Sequence, residues 1–269
     1  MARALNNLAG ALRNRGGEED LATAIGHFEQ ALEINKKIFG ELHQLVAVAL
    51  NNLAGALRNR GREGDLATAI GHFEQALEID IKLFGEEHQN VATDLNNLAE
   101  ALQDRGREGD LATAIAHFEQ ALEIDKKLFG EFHQEVATDL NNLAAALKDR
   151  GGKEVLALAI LYYEQALEIN KKIFGEFHPT VAIQHHNLSD SLAKRGIEGD
   201  LVSAIQHSTE ANLVYGKILG VRHPNMVTFA WRLLSHLRKE DSGLAEERFL
   251  GALQPLGEKE AAELLQKIK

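Results

Sequence analysis

One five-residue string, Leu-Asn-Asn-Leu-Ala, constrains this chain more than any other feature. It occupies residues 5–9, 50–54, 95–99 and 140–144, and a degraded copy at 185–189 keeps Asn187 and Leu188. The copies begin every 45 residues. A fixed period in this range belongs to stacked repeats, in which each unit is too small to bury its own apolar face and does so against its neighbour. The 269 residues are therefore read as one elongated array, not as the two globular domains that their number would allow. The expected repeats lie near 1–45, 46–90, 91–135, 136–180, 181–225 and 226–254, with a capping helix over 258–269.

The third repeat shows the local logic. Val91, Leu95, Leu98, Ala99 and Leu102 recur at three- and four-residue steps, which predicts a first helix, A, over 91–105. Arg105 followed by Gly106 is a helix stop. Asp110 is expected to cap a second helix, B, over 111–128, accepting from its first-turn amides. Ala114, Ile115, Phe118, Ala121, Leu122 and Ile124 are its expected buried face, and Glu123 and Lys127 an i,i+4 pair. Gly130 ends helix B, and Glu131-Phe132-His133-Gln134 leads to the next repeat.

Departures from this pattern are informative. The first repeat starts inside helix A, so further residues are expected upstream, as in a fragment of a longer chain. Repeat four has Val155 where Asp20, Asp65, Asp110 and Asp200 stand, and so loses the expected cap. It also has Leu158, Leu161 and Tyr162 in place of Thr113, Ala116 and His117. These form either a candidate interface patch for a partner or second copy, or tighter packing that offsets the lost cap. Repeat five carries His185, His186 and Ser208 at positions otherwise Leu, Asn and aromatic, and the two histidines are expected on different helix faces with no special role. Repeat six is shorter, with helices over 226–237 and 244–253, and Pro255 and Gly257 break the chain before the last helix.

Composition narrows the function. A net charge of −11 leaves no basic excess to replace counterions on phosphates, so no nucleic-acid partner is expected. There is no cysteine, which excludes disulfides and thiolate chemistry. The longest apolar run, 155–163, is too short to span a membrane, and the start lacks an apolar signal segment. A cytoplasmic protein without a membrane partner is expected. No nucleophile–base set or phosphate loop is found; Gly61-Arg-Glu-Gly64 lacks both the Lys-Ser/Thr ending and a preceding strand. The expectation is no enzyme and no cofactor. The linker histidines His43, His88, His133, His178 and His223 recur once per repeat and so cannot converge on one ion. They are expected to fix their turns by hydrogen bonds, and His27, His72 and His117 are read in the same structural way; no metal is expected.

The helix B trio of alanine, aromatic and alanine recurs at Ala24, Phe28, Ala31; Ala69, Phe73, Ala76; Ala114, Phe118, Ala121; Ala159, Tyr163, Ala166; and Ala245, Phe249, Ala252. With Leu95-x-x-Leu98-Ala99-x-x-Leu102 on helix A it resembles the tetratricopeptide repeat (TPR) pattern of large and small residues on paired helices. The closer likeness is to the TPRs of kinesin light chains and their bacterial and fungal relatives, with a Val-Ala-x-x-Leu-Asn-Asn-Leu-Ala helix A and a Gly-x-x-His-Pro linker. The linkers here are 40–43, 85–88, 130–133, 175–178 and 220–223. The resemblance implies an all-α, right-handed superhelical solenoid of about six helix-turn-helix repeats with a C-terminal capping helix. Two departures stand out. The A–B turn is about three residues longer, and Gln44, Gln89 and Gln134 replace the linker proline, kept only at Pro179 and Pro224. The kinesin heavy-chain-binding coiled coil does not occur in these residues, so a motor role is not carried over. HEAT repeats share the period but lack the Ala-aromatic-Ala spacing.

In proteins of this kind helices A line the concave surface. The expected groove stripes are Arg3, Asn7, Gly10, Asn14; Val48, Asn52, Gly55, Asn59; Thr93, Asn97, Glu100, Asp104; Thr138, Asn142, Ala145, Asp149; and Ile183, Asn187, Asp190, Lys194. One asparagine per repeat (Asn7, Asn52, Asn97, Asn142, Asn187) is expected to form a ladder gripping an extended peptide, because a carboxamide offers both donor and acceptor to a peptide unit. The alternative is that these asparagines tie adjacent helices A together. Arg3, Arg13 and Arg58 toward one end, against Glu100, Asp104, Asp149 and Asp190 toward the other, predict a ligand whose acidic end lies at repeat one. Gly10 and Gly55 are expected to leave room for a bulky ligand side chain. The Lys/Asn/Lys/Arg carboxylate clamp of chaperone-binding TPRs is not matched. The leading function is a protein–protein interaction scaffold binding a protein or peptide segment. The alternatives are a sensor or oligomerisation module of a larger NTPase- or protease-linked signalling protein, and a self-associating array stacked end to end.

Overall fold

The computed structural model describes residues 1–220 and 223–268, with the side chains of 224 and 225 set aside. Two compact units result, Met1–Gly130 and Glu131–Lys269. Unit 1 is three helix pairs: α1 (Ala2–Arg15) with α2 (Glu18–Phe39), α3 (Gln44–Arg60) with α4 (Asp65–Phe84), and α5 (Gln89–Arg105) with α6 (Asp110–Phe129). Phe28, Phe73 and Phe118 are buried between alanines, Ala24 and Ala31 being fully enclosed, so the small side chains let the helices close around the ring. Val91, Leu95, Leu98, Ala99 and Leu102 are all buried, as are the six apolar positions expected on α6.

Three local devices set the helix ends. At the end of each helix A in unit 1 a glycine turns left-handed; Gly106 has φ 63 and its N–H donates to Leu102 O at 3.1 Å. The following aspartate does not cap helix B as expected. Gly109 holds the N-cap position and Asp110 is the first helical residue, its carboxylate turned back. It accepts from Arg105 Nε and Nη2 at 2.8 and 2.7 Å and from Arg107 N at 2.9 Å. Asp65 does the same with Arg60 and Arg62 N, and Asp20 binds Arg15. The aspartate thus clasps the end of helix A to the start of helix B, and the longer A–B turn is what it closes.

The third device is the linker histidine. His88 Nδ1 accepts from Asn90 N at 3.1 Å, so the imidazole itself caps α5, and its ring stacks on Phe84 at 4.4 Å between centroids. His43 repeats this with Leu45 N and Phe39. Helix α5 therefore begins at Gln89, two residues before the expected 91. In unit 1 Lys127 also pairs with both Glu123 and Glu87 at 2.9 Å, joining successive repeats.

Unit 2 contains α7 (Gln134–Arg150) with α8 (Lys153–Phe174), α9 (Pro179–Arg195) with α10 (Asp200–Leu219), and α11 (Pro224–Glu240) with α12 (Ala245–Leu253). A 3-10 turn over Gln254–Leu256 precedes α13 (Glu258–Ile268). His133 and His178 cap α7 and α9 through Nδ1. Asp200 clasps Arg195 at 2.9 and 2.6 Å, whereas Val155 supplies no carboxylate and α8 starts earlier, at Lys153. Helix α13 buries Ala261, Leu264, Leu265 and Ile268 in a core shared with Met226, Leu233, Phe249 and Leu253. Leu256 crosses α10 closely at Gly216, where a Cβ would fall 2.6 Å from Leu256 Cδ1 and make that side chain shift. Val221 and Arg222 of the fifth linker, and Lys269 at the end of the expected last helix, lie outside the described residues.

Candidate functional site: the helix A face

Within each unit successive helices A touch up to the fifth repeat. Helix α1 meets α3, α3 meets α5, and α7 meets α9, while no comparable contact joins α2 to α4, α4 to α6, or α8 to α10 among the described residues. Unit 1 and the α7–α10 part of unit 2 are therefore tighter on the helix A side, which makes that side the inner one there, whereas at the last repeat α10 meets α12, both of them helices B. None of the expected stripe residues is buried: Arg3, Asn7, Val48, Thr93, Asp104, Thr138, Asp149, Ile183 and Lys194 are exposed, and Asn52, Asn97, Glu100, Asn142, Asn187 and Asp190 are half-buried.

The asparagines are not idle on this face. Asn52 Nδ2 donates to Asn6 Oδ1 at 3.1 Å, and Asn187 Nδ2 to Asn141 Oδ1 at 3.0 Å. In both, the second asparagine of one repeat reaches the first asparagine of the repeat before it. The first asparagine makes a further bond to the same following repeat: Asn51 donates to Asp94 Oδ1, and Asn141 Oδ1 accepts from Gln184 at 3.2 Å. One amide hydrogen of Asn52 and of Asn187 is thus spent on tying helices A together, as the alternative reading held. An amide carries two hydrogens and two acceptor lone pairs, so capacity remains for a ligand.

The charge pattern differs from the expected one. Arg58 is bound by both Glu100 and Asp104, so these three form one ion-pair cluster within unit 1 instead of marking opposite ends of a ligand. The space over Gly55 is also taken, since a Cβ there would lie 3.1 Å from Arg13 Nη1, whereas Gly10 is open. On the other side of the hairpins Leu158 and Leu161 are 37% and 46% exposed and Tyr162 is half-buried.

Sequence reading missed two sets of residues. The first is a row of buried polar groups where helix B meets the next helix A. Asp80 and Asp94 are 2% and 1% exposed, and burial beside Asp80 pushes the Asp94 carboxyl up to about 7 despite the Asn51 hydrogen bond. Asn35, at the Asp80 register, donates to Leu45 O at 3.0 Å. Recurrence of Asn or Asp at 35, 80, 125 and 170 was the available signal. The second set is in repeats five and six. His185 Nδ1 lies 2.8 Å from His207 Nδ1, and Ser189, Ser208 and His236 form a buried triangle with contacts of 2.6, 3.1 and 3.2 Å. Ser208 stands where repeats one to four have an aromatic ring, and the buried His236 ring contacts it. Burial holds His185 down to about 3 and His236 to about 4, so both are neutral at pH 7. His186, on another face of α9, packs at 4.5 Å against Phe229.

Helix pairs in a 45-residue register define a helical-repeat protein. A tetratricopeptide repeat profile matches residues 1–63, 59–108 and 105–161, and the chain belongs to the tetratricopeptide repeat family. Similar solved structures include a Podosopora anserina protein described as a kinesin light chain with nearly identical TPR-like repeats. It is 20% identical, with TM-score 0.63, over 81% of this chain and 98% of that one. BtubC (BKLC) from P. vanneervenii is 22% identical, with TM-score 0.62, over 83% and 92% of the two chains. Acl4, an assembly chaperone of RpL4, is 17% identical, with TM-score 0.53, over 99% and 98%. These likenesses establish the fold. No curated protein sequence matches the chain. Among the described residues no helix is long and apolar enough to cross a membrane.

Proposed function

We propose that the chain is a non-enzymatic scaffold whose helix A face holds an extended peptide or protein segment. The supporting observation is that α1, α3 and α5 in unit 1, and α7 and α9 in unit 2, close against one another and line that side with carboxamides at one register, half-buried at Asn52, Asn97, Asn142 and Asn187. Inter-repeat hydrogen bonds fix the orientation of Asn52 and Asn187 before a ligand arrives, which lowers the ordering cost of binding. Helices pack roughly 8–10 Å apart and an extended chain rises about 3.3 Å per residue, so one carboxamide meets a peptide unit every few residues. The unbroken register at 5, 50, 95 and 140 favours one array over residues 1–269. Acl4, with a protein partner in its description, illustrates the kind of cargo such a fold serves.

A photoreactive residue placed at Ala145, on the face, and in a second protein at Glu119, exposed on helix B, tests this. A degenerate pool of extended peptides should crosslink at 145 and not at 119. Equal labelling at both positions contradicts the assignment.

A further inference from the structure

The groove register does not stop at repeat five. Adding the 45-residue period to Asn187, Asp190 and Lys194 gives Arg232, Ser235 and Lys239. The ladder asparagine has become arginine, and the position that is acidic at Asp104 and Asp149 has become lysine twice, at Lys194 and Lys239. In unit 2 these residues line one open cavity of about 270 Å³, together with Lys148 of α7 and the buried His236.

The charge balance of this cavity is unlike the rest of the chain. Lys148, Lys194, Arg232 and Lys239 line it against one carboxylate, Asp190, in a protein of net charge −11. Asp190 is committed to Arg232 at 2.8 Å. Lys194 Nζ donates to the Lys148 backbone carbonyl, which holds the Lys194 side chain against α7, and both lysines line the cavity. Among the described residues no carboxylate pairs with Lys148, Lys194 or Lys239. Contrast Arg58 in unit 1, where Glu100 and Asp104 supply two carboxylates to one guanidinium. Like charges gathered without counterions repel, and a cleft that concentrates them attracts an anion.

We propose that this cavity seats a phosphorylated side chain of the peptide held on the helix A face, a reading that rests on the proposed function of that face. The choice of phosphate over carboxylate follows from charge and donor count. A phosphorylated serine or threonine carries a charge of about −1.5 to −2 and three acceptor oxygens. Three lysines remain once Asp190 has taken Arg232, and the Ser235 hydroxyl adds a neutral donor. A single carboxylate would leave most of that charge unanswered. Lysine suits the task as a flexible point charge, while the Arg232–Asp190 pair fixes the wall. Phosphorylation of the partner then becomes the switch for its capture.

The test uses the full chain and three probes: O-phospho-L-serine, a degenerate peptide pool with one fixed phosphoserine, and the same pool with serine. Each is titrated against the native protein and the Lys148→Gln, Lys194→Gln double variant, with circular dichroism confirming the fold. Expected is tighter binding of the phosphorylated pool than of the serine pool, weakened about tenfold or more in the variant by loss of charge-assisted hydrogen bonds, and weakened by added salt. Lys239→Gln alone should give a smaller loss in the same direction. If both pools bind equally and the variant changes nothing, the phosphate seat is overturned while the peptide-binding face stands. If neither pool binds but O-phospho-L-serine does, and the variant abolishes it, the anion seat stands and the peptide reading fails. If no probe binds, both are overturned.

Discussion

Asn187 Nδ2 lies 3.0 Å from Asn141 Oδ1, so the second asparagine of repeat five is anchored to the first asparagine of repeat four. The repeated dipeptide is therefore two parts of one inter-helix bond, with the acceptor on one repeat and the donor on the next. Asn187→Ala is expected to cost about 1 kcal/mol, the net contribution of a half-buried hydrogen bond. Native-state hydrogen exchange should show the loss concentrated in α9 and α7. Unchanged exchange there would mean that the bond contributes no stability.

The aspartate clasp predicts a gain of stability. Arg15, Arg60, Arg105 and Arg195 each have a carboxylate five residues on, and Arg150 has Val155. Val155→Asp is expected to raise the melting temperature, and Asp110→Ala to lower it. The arginine hydrogen bond holds the Asp110 carboxyl down to about 2, below the ordinary value near 4. A depressed carboxyl stabilises the fold at neutral pH, and the contribution is lost as pH falls from about 4 to about 2. Acid melts of Asp110→Asn should lack that component.

Asp94 predicts the opposite slope. Its carboxyl, pushed up to about 7 by burial, holds a proton in the folded state that the unfolded chain has released. Stability from this site is greatest below pH 4 and declines as pH rises toward 7, by on the order of 4 kcal/mol. Asp94→Asn is expected to stabilise the protein at pH 8 and leave it nearly unchanged at pH 4. Thermal melts at the two pH values decide the matter, and equal effects at both would contradict the assignment.

The histidines of repeats five and six titrate in the reverse sense. Burial lowers His185 to about 3 and His236 to about 4, so the folded state binds fewer protons than the unfolded one. Stability from these sites is full above about pH 6.5, the ordinary histidine value, and falls as pH drops toward 4. Hydrogen exchange at pH 5 should show α9, α10 and α11 opening more readily than at pH 7.5. His236→Gln should reduce that difference.

How much of this was legible depends on what each residue answers to. The helix pairs and their buried faces follow from apolar spacing, which the sequence displays directly in Leu95, Leu98 and Leu102. Linker histidines were legible as turn-fixing groups from their period. Asp110 was misread as a cap, because its spacing from helix B fits an N-cap equally well and only the backbone geometry shows the carboxylate facing Arg105. Asp94 and Asp80 were missed because a polar residue beside an apolar stripe reads as exposed until the neighbouring repeat is stacked over it. Arg58 read as a free cation for the same reason, its partners Glu100 and Asp104 being on the next helix A.

The central claim is that the asparagine-bearing face of helices A is the binding face. The most direct measurement is the affinity of a degenerate extended-peptide pool for the native protein and for the Asn52→Ala, Asn97→Ala, Asn142→Ala triple variant, compared at matched helicity. The account predicts a loss of about tenfold or more, since each carboxamide removed leaves a peptide group unpaired. Full retention of affinity by a folded triple variant would contradict it and leave the asparagines as inter-helix ties alone.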